Sequence, residues 1–216
     1  MKLKKVAAIC DKTGLFHLYD QVDGTGTFER QWLGDGYAAY PIDGMPYLDP
    51  DNLCAMFDIT EKRKEKLSFR QTNVSGNINW EDADPSEHYL EDPKLCLRYG
   101  GRTILPLRTR DGVTFIQDKY LAPLDNLDYM HLYERRAKDG GVYIVAKIGM
   151  VVQAVIMPMD VVCMDLIDRM EGLTSLCRTA LMKKERVYTT EERARPNENQ
   201  GTLFREGTDS GEGAGV

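Results

Sequence analysis

The sequence predicts an α+β fold, and three observations lead there. Short apolar stretches recur between turn pairs such as Asp111-Gly112 and Gly140-Gly141, the pattern of antiparallel strands. Each half of the chain carries one helix-start signal, Asp49-Pro50 in the first and Asp118 in the second. Beyond Asp160 the apolar residues fall at helical spacing as far as Leu181. A chain of 216 residues holds one substantial core with an appendage, which excludes a large multidomain machine.

In the first half, Val6 to Cys10 and Leu15 to Tyr19 flank Asp11-Lys12-Thr13-Gly14, a polar turn ending on glycine, and the pair is expected to form a hairpin. Gly36 to Ile42 is a further strand, followed by a turn region at Gly44 and Pro46. From Asp49 to Phe57 a short helix is expected: Asp49 caps it, Pro50 takes the first helical position, and Leu53, Met56 and Phe57 share one face. Leu67, Phe69 and Gln71 alternate with polar residues as a returning strand. Gln71 to Asp92 is polar with scattered aromatics such as Trp80 and Tyr89, and reads as a long loop.

The second half repeats the order. Arg102 to Arg108 and Val113 to Gln117 are strands around Asp111-Gly112, and Asp118 caps a short helix carrying Tyr120, Leu121, Leu124 and Leu127, with Pro123 in its first turns. Strands follow at Met130 to Glu134, Val142 to Ile148 and Val151 to Met157, connected at Asp139-Gly140-Gly141 and at Gly149. One strand–helix–strand module is thus used twice: halves of about 1–71 and 101–159, joined by a long loop at 72–100, make a single domain over 1–159. Residues 160–186 are a helical extension, one helix or a pair divided at Gly172, which covers the sheet or serves a partner or a second copy. Residues 187–216 are too polar to offset chain entropy and are expected to be a disordered tail.

Charge and composition narrow the function. With 28 Lys plus Arg against 34 Asp plus Glu, the net charge of -6 excludes a protein held on nucleic acid by bulk charge. The five cysteines are odd in number and contain no Cys-x-x-Cys pair, so a disulfide framework and a zinc knuckle both fall away. The apolar run after Met1 to Lys5 meets Asp11, too soon for a signal peptide or a membrane span, and a cytoplasmic protein without a membrane partner is expected. His17, His88 and His131 lie in separate segments, no phosphate-binding Gly-x-x-x-x-Gly-Lys loop is present, and the acids from Glu81 to Asp92 miss the calcium-loop spacing. No catalytic residue, metal or cofactor is therefore expected, and the chain is read as a non-enzyme.

Two stretches carry a resemblance. Thr114-Phe115-Ile116-Gln117-Asp118-Lys119-Tyr120-Leu121-Ala122-Pro123-Leu124-Asp125-Asn126-Leu127 and Ala154-Val155-Ile156-Met157-Pro158-Met159 together resemble the last domain of the bacterial DNA polymerase sliding clamp family. In that family a strand enters a short helix through Lys-Tyr-Leu, and a Met-Pro-Met type strand closes the domain. The resemblance covers Val113 to Met159 and is only architectural over Val6 to Gln71. It implies a DNA-clamp-like domain, with Met157, Pro158 and Met159 bordering an apolar groove that receives short peptides.

The chain departs from that family in three ways. It has room for one domain where bacterial members join three, so a ring would need several copies. Its two expected channel helices are poor in base, Asp49 to Phe57 having none and Asp118 to Leu127 only Lys119; the compensating DNA-facing patch is Lys62, Arg63, Lys64, Lys66 and Arg70. It also continues past the closing strand. In the tail, Gln200, Leu203 and Phe204 resemble the Gln-x-x-Leu-Phe peptide by which replication and repair proteins dock on the clamp. The resulting expectation is a non-catalytic clamp-like interaction protein of bacterial or mobile-element DNA metabolism, partnered by the bacterial sliding clamp or by another copy of itself. The alternatives are a DNA-encircling processivity clamp built from several one-domain subunits, and an acidic inhibitor occupying a nucleic-acid channel.

Overall fold

The computed structural model describes residues 1–91, 94–125 and 128–187, in two compact units divided between Val161 and Val162. The α+β class holds. The first unit contains α1 (Leu3–Thr13), β1 (Leu15–Val22), β2 (Phe28–Gly34), β3 (Ala38–Pro41), α2 (Pro50–Met56), the single turn α3 (Glu61–Lys64), β4 (Ser68–Asn73), β5 (His88–Leu90), β6 (Leu97–Tyr99), β7 (Arg102–Thr109), β8 (Gly112–Gln117), β9 (Met130–Arg136), β10 (Val142–Ile148) and β11 (Val151–Ile156). Eight strands form one sheet in the order β4-β1-β2-β3-β11-β10-β9-β5, and β6-β7-β8 form a small antiparallel sheet. Only the β1–β4 pair is parallel among the described strands. The two halves of the chain share the large sheet and meet where Val155 pairs with Ala39 and Ile156 with Ala38.

The amino-terminal hairpin is overturned: residues 3–13 are helical. Leu3, Val6, Ala7 and Cys10 fall at helical intervals, and Val6, Ala7, Ile9 and Cys10 are buried while Lys4 is exposed. Gly14, at φ +80°, closes the helix by giving its N–H to the Cys10 and Asp11 carbonyls, the work of a helix C-cap and not of a hairpin turn. The hairpin partner of β1 is β2, a strand masked in the sequence by Glu29, Arg30 and Gln31, and β4 pairs along its other edge. The helix after Asp49 forms as expected, the Asp49 carboxylate accepting from the Asn52 N–H at 2.8 Å with Pro50 in the first turn.

The expected helix after Asp118 is also corrected. Asp118–Tyr120 and Ala122–Leu124 are two 3-10 turns, so the second half carries no α-helix among its described residues. An α-helix begun at Asp118 would need the Pro123 nitrogen to donate to the Lys119 carbonyl, and proline has no proton to give. The strands on either side of it follow the expected order, β7 to β11.

Period-two alternation divides the large sheet into two apolar faces. Leu18, Leu33, Tyr40, Ile144, Ala154 and Ile156 pack with Val6 and Cys10 of α1, Leu53 of α2, and Leu107, Ile116, Tyr120 and Leu124. Trp32, Ala39, Tyr143, Val145, Val152 and Val155 pack on the opposite face with Trp80, which stands 5.1 Å from Trp32 edge to face. The stretch expected as a loop over 72–100 instead contributes β5 to the large sheet and β6 to the small one. Arg135, with no exposed side-chain surface, fastens it: its guanidinium donates to Glu87 Oε2 at 2.7 and 3.0 Å and to the carbonyls of Asn79, Glu81 and Asp82.

In the second unit the described element is α4 (Met164–Val187), one unbroken helix that runs through Gly172. No helix among the described residues is long and apolar enough to cross a membrane. The tail expectation, with Gln200, Leu203 and Phe204, lies outside the described residues.

Candidate functional site

The site grows from the turn between β2 and β3. Gly34 and Ala38 approach so closely that a Cβ on Gly34 would stand 1.9 Å from the Ala38 carbonyl oxygen, which itself accepts from the Asp35 N–H at 3.1 Å. This tight turn drives the Asp35 side chain inward until none of it is exposed. Its Oδ1 accepts from the Tyr37 and Ala38 N–H groups, each at 3.0 Å. Its Oδ2 accepts from the Tyr120 hydroxyl at 3.1 Å and lies 2.9 Å from the Thr13 hydroxyl, whose single proton is shared with the Ile9 carbonyl. Lys119 Nζ stands 3.6 Å away and balances the charge, while also lying 4.5 Å from the centre of the Tyr120 ring. A buried carboxylate is tolerable only when so fully partnered.

Burial, with the Asp35 charge adding to it, pushes the Tyr40 and Tyr120 hydroxyls and the Cys10 thiol far above their ordinary values. All three are protonated at neutral pH, and the Tyr40 proton is given to the Tyr120 carbonyl at 2.7 Å. Their arrangement orders the 3-10 turn beneath the cleft.

Thr13, Tyr37, Lys119 and Tyr120, which surround Asp35, also line a polar cleft of about 750 Å³ together with Lys12, Arg102, Asp118, Pro158 and Met159. Lys12 and Arg102 are exposed and make no ion pair among the described residues. A second cleft, of about 240 Å³, is lined mainly by Tyr19, Tyr37, Ile78, Trp80, Val155 and Met157. Tyr37 lines both and is 58% exposed, so an aromatic, apolar chamber and one carrying Lys12, Arg102, Lys119 and Asp118 meet at this residue. The segment after β11 runs beside both chambers. Met157 N–H donates to the Tyr37 carbonyl and Met159 N–H to the Phe115 carbonyl, each at 2.7 Å, and these bonds hold the segment in place at either end.

Of the residues singled out from sequence, Met157, Pro158 and Met159 are therefore brought to a groove. The basic patch is divided. Lys62, Arg63 and Lys66 line a separate cleft of about 520 Å³ that shares Lys12 and Thr13 with the polar one, Arg63 being paired there with Asp11, while Lys64 is paired with Asp51. Arg70 lies on β4 in register with His17. The acidic stretch is largely used internally: Glu87 holds Arg135 and Lys147, Asp82 accepts from the Val152 N–H, and Asp84 accepts from Ser86 and Asn79. Among the described residues no group of three or more His, Cys, Asp or Glu is placed to hold a metal ion. Sequence reasoning missed Asp35, Tyr37, Lys12 and Arg102; the signal available was the turn string Gly34-Asp35-Gly36. No family model, curated protein or solved structure matches this chain.

Proposed function

We propose that this chain is a non-catalytic interaction protein whose first unit receives a short peptide along Met157, Pro158 and Met159. The observation that carries this reading is the meeting of two clefts at Tyr37, an apolar aromatic chamber on one side and, on the other, Lys12 and Arg102, which make no ion pair among the described residues, with Lys119 and Asp118. Such a groove fits a peptide with an aromatic or branched side chain and an acidic residue nearby. The apolar anchor contributes about 1.5–3 kcal/mol when fully buried, and the acid supplies orientation through charge. Ordering a flexible peptide offsets much of that gain, so affinity in the micromolar range is expected.

The setting proposed for this module is bacterial or mobile-element DNA metabolism, in a clamp-like role, and it is supported by the sequence resemblance over Val113 to Met159. Gln200, Leu203 and Phe204 are the proposed link to a replication clamp or to another copy. Replacing Leu203 and Phe204 by Ala, with binding to a purified bacterial clamp as the readout, tests that link: equal binding by parent and variant, or none by the parent, removes it.

The groove itself is tested by selecting a displayed random-peptide library on the full chain and on a Tyr37→Ala, Met157→Glu variant. Sequences pairing an aromatic or branched residue with an acid are expected to enrich on the parent alone. Equal enrichment on both proteins, or none on the parent, contradicts the reading.

A further inference from the structure

We infer that α4 is a self-association element, and that the surface covering it is the α4 of a second copy packed antiparallel. The helix has 24 residues, about 36 Å of axial length, and it is the only element among the described residues of its unit. A helix standing alone is marginal without a packed face. Leu166, Met170, Leu173, Cys177, Ala180 and Lys184 follow one another at alternating steps of four and three, the spacing of a seam between two supercoiled helices. Leu166 is already buried; the other five are exposed, and beside them Leu176 and Leu181 are 69% and 59% exposed.

Direction follows from size and charge. A parallel pair sets Ala180 against Ala180 and Met170 against Met170, leaving a gap at one layer and crowding at another. An antiparallel pair centred at Ser175 sets Met170 against Ala180 and Leu173 against Cys177, long beside short at these two central layers, with Leu166 and Lys184 together at the outer one. The amino half carries Asp165, Asp168 and Glu171 with one base, Arg169, which pairs with Asp165 at 2.8 Å, and the carboxyl half carries Arg178, Lys183, Lys184 and Arg186 with one acid, Glu185. Antiparallel packing brings the net-acidic half of one helix against the net-basic half of the other, whereas parallel packing stacks Lys183 and Lys184 on their own copies. The same charge order also suits the helix's own dipole, so the test must read orientation directly.

Light scattering on the full chain is expected to show the mass rising from one chain to two through the micromolar range. For orientation, Cys96, Cys163 and Cys177 are replaced by Ser, and Met170→Cys and Ala180→Cys are made separately in that background. Mixed and oxidised, the two proteins are expected to form a disulfide-linked dimer, while each alone stays unlinked because equivalent positions lie about 15 Å apart along the axis. Cross-linking of either protein alone overturns the antiparallel assignment, and a single-chain mass at every concentration overturns self-association. Leu173→Glu with Leu176→Glu is expected to abolish the dimer and leave the tryptophan fluorescence of the first unit unchanged; a variant that still dimerises places the interface elsewhere and ends the proposal.

Discussion

The Tyr120 hydroxyl donates to Asp35 Oδ2 at 3.1 Å across 85 positions of sequence, and this bond joins the β2–β3 turn to the 3-10 turn under the cleft. Replacing Asp35 by Ala strands the buried Ala38 N–H, the half-buried Tyr37 N–H and a buried phenol, and is expected to lower unfolding free energy by about 3 kcal/mol. Asp35→Asn keeps an acceptor for the backbone amides and is expected to cost about 1–2 kcal/mol. Urea denaturation followed by tryptophan fluorescence gives both values; equal stability of Asp35→Ala and the parent would show that the buried network adds nothing.

Gly34→Ala is expected to cost about 2–4 kcal/mol. The added methyl meets the Ala38 carbonyl oxygen, and that oxygen cannot withdraw without losing the Asp35 N–H. A thermal melt within a degree of the parent's would mean that the turn relaxes freely.

How much of this was legible in the sequence depends on the range of the interactions. The helix at Asp49-Pro50 and the strands from Arg102 to Ile156 are marked by caps and turns adjacent to them in the chain, and the structure contains them. The run Val6 to Cys10 is too short for its period to be told from local sequence, and only Gly14 acting as a cap resolves it as helix. Asp35 looked like one turn residue among many, because its partners Thr13 and Tyr120 lie 22 and 85 positions away. Met157 to Met159 were found through a resemblance, whereas Tyr37, exposed and isolated in sequence, carried no signal of its own.

Removal of Arg135 is expected to destabilise the first unit by about 3–5 kcal/mol. Arg135→Met leaves the Glu81 and Asp82 carbonyls without this donor, the Asn79 carbonyl with the Tyr143 hydroxyl alone, and Glu87 with Lys147 alone. Amide hydrogen exchange is expected to quicken between Asn79 and Glu87, where the guanidinium fastens the chain to the sheet. Unaltered exchange there would contradict the role given to this side chain.

His17 supplies a pH dependence. Burial chiefly, and then the Arg70 charge, lowers its pKa below the ordinary 6.5, while its Nε2 lies 2.9 Å from the Thr72 hydroxyl. The unfolded chain therefore takes up the proton first as pH falls, and His17 withdraws stability as pH drops below about 6.5. His17→Gln is expected to flatten the fall in urea midpoint between about pH 7 and pH 5; a slope identical to the parent's would remove His17 from the account.

The most direct measurement of the groove is methyl NMR on the full chain labelled at its methionines, titrated with a library-selected peptide containing an aromatic residue and an acid. Met157 and Met159 methyl signals are expected to shift together on binding, and Tyr37→Ala is expected to reduce affinity about tenfold, equivalent to 1.4 kcal/mol. A saturable titration that moves Met164, Met170 or Met182 and leaves Met157 and Met159 in place would show that the peptide binds elsewhere and would contradict the central claim.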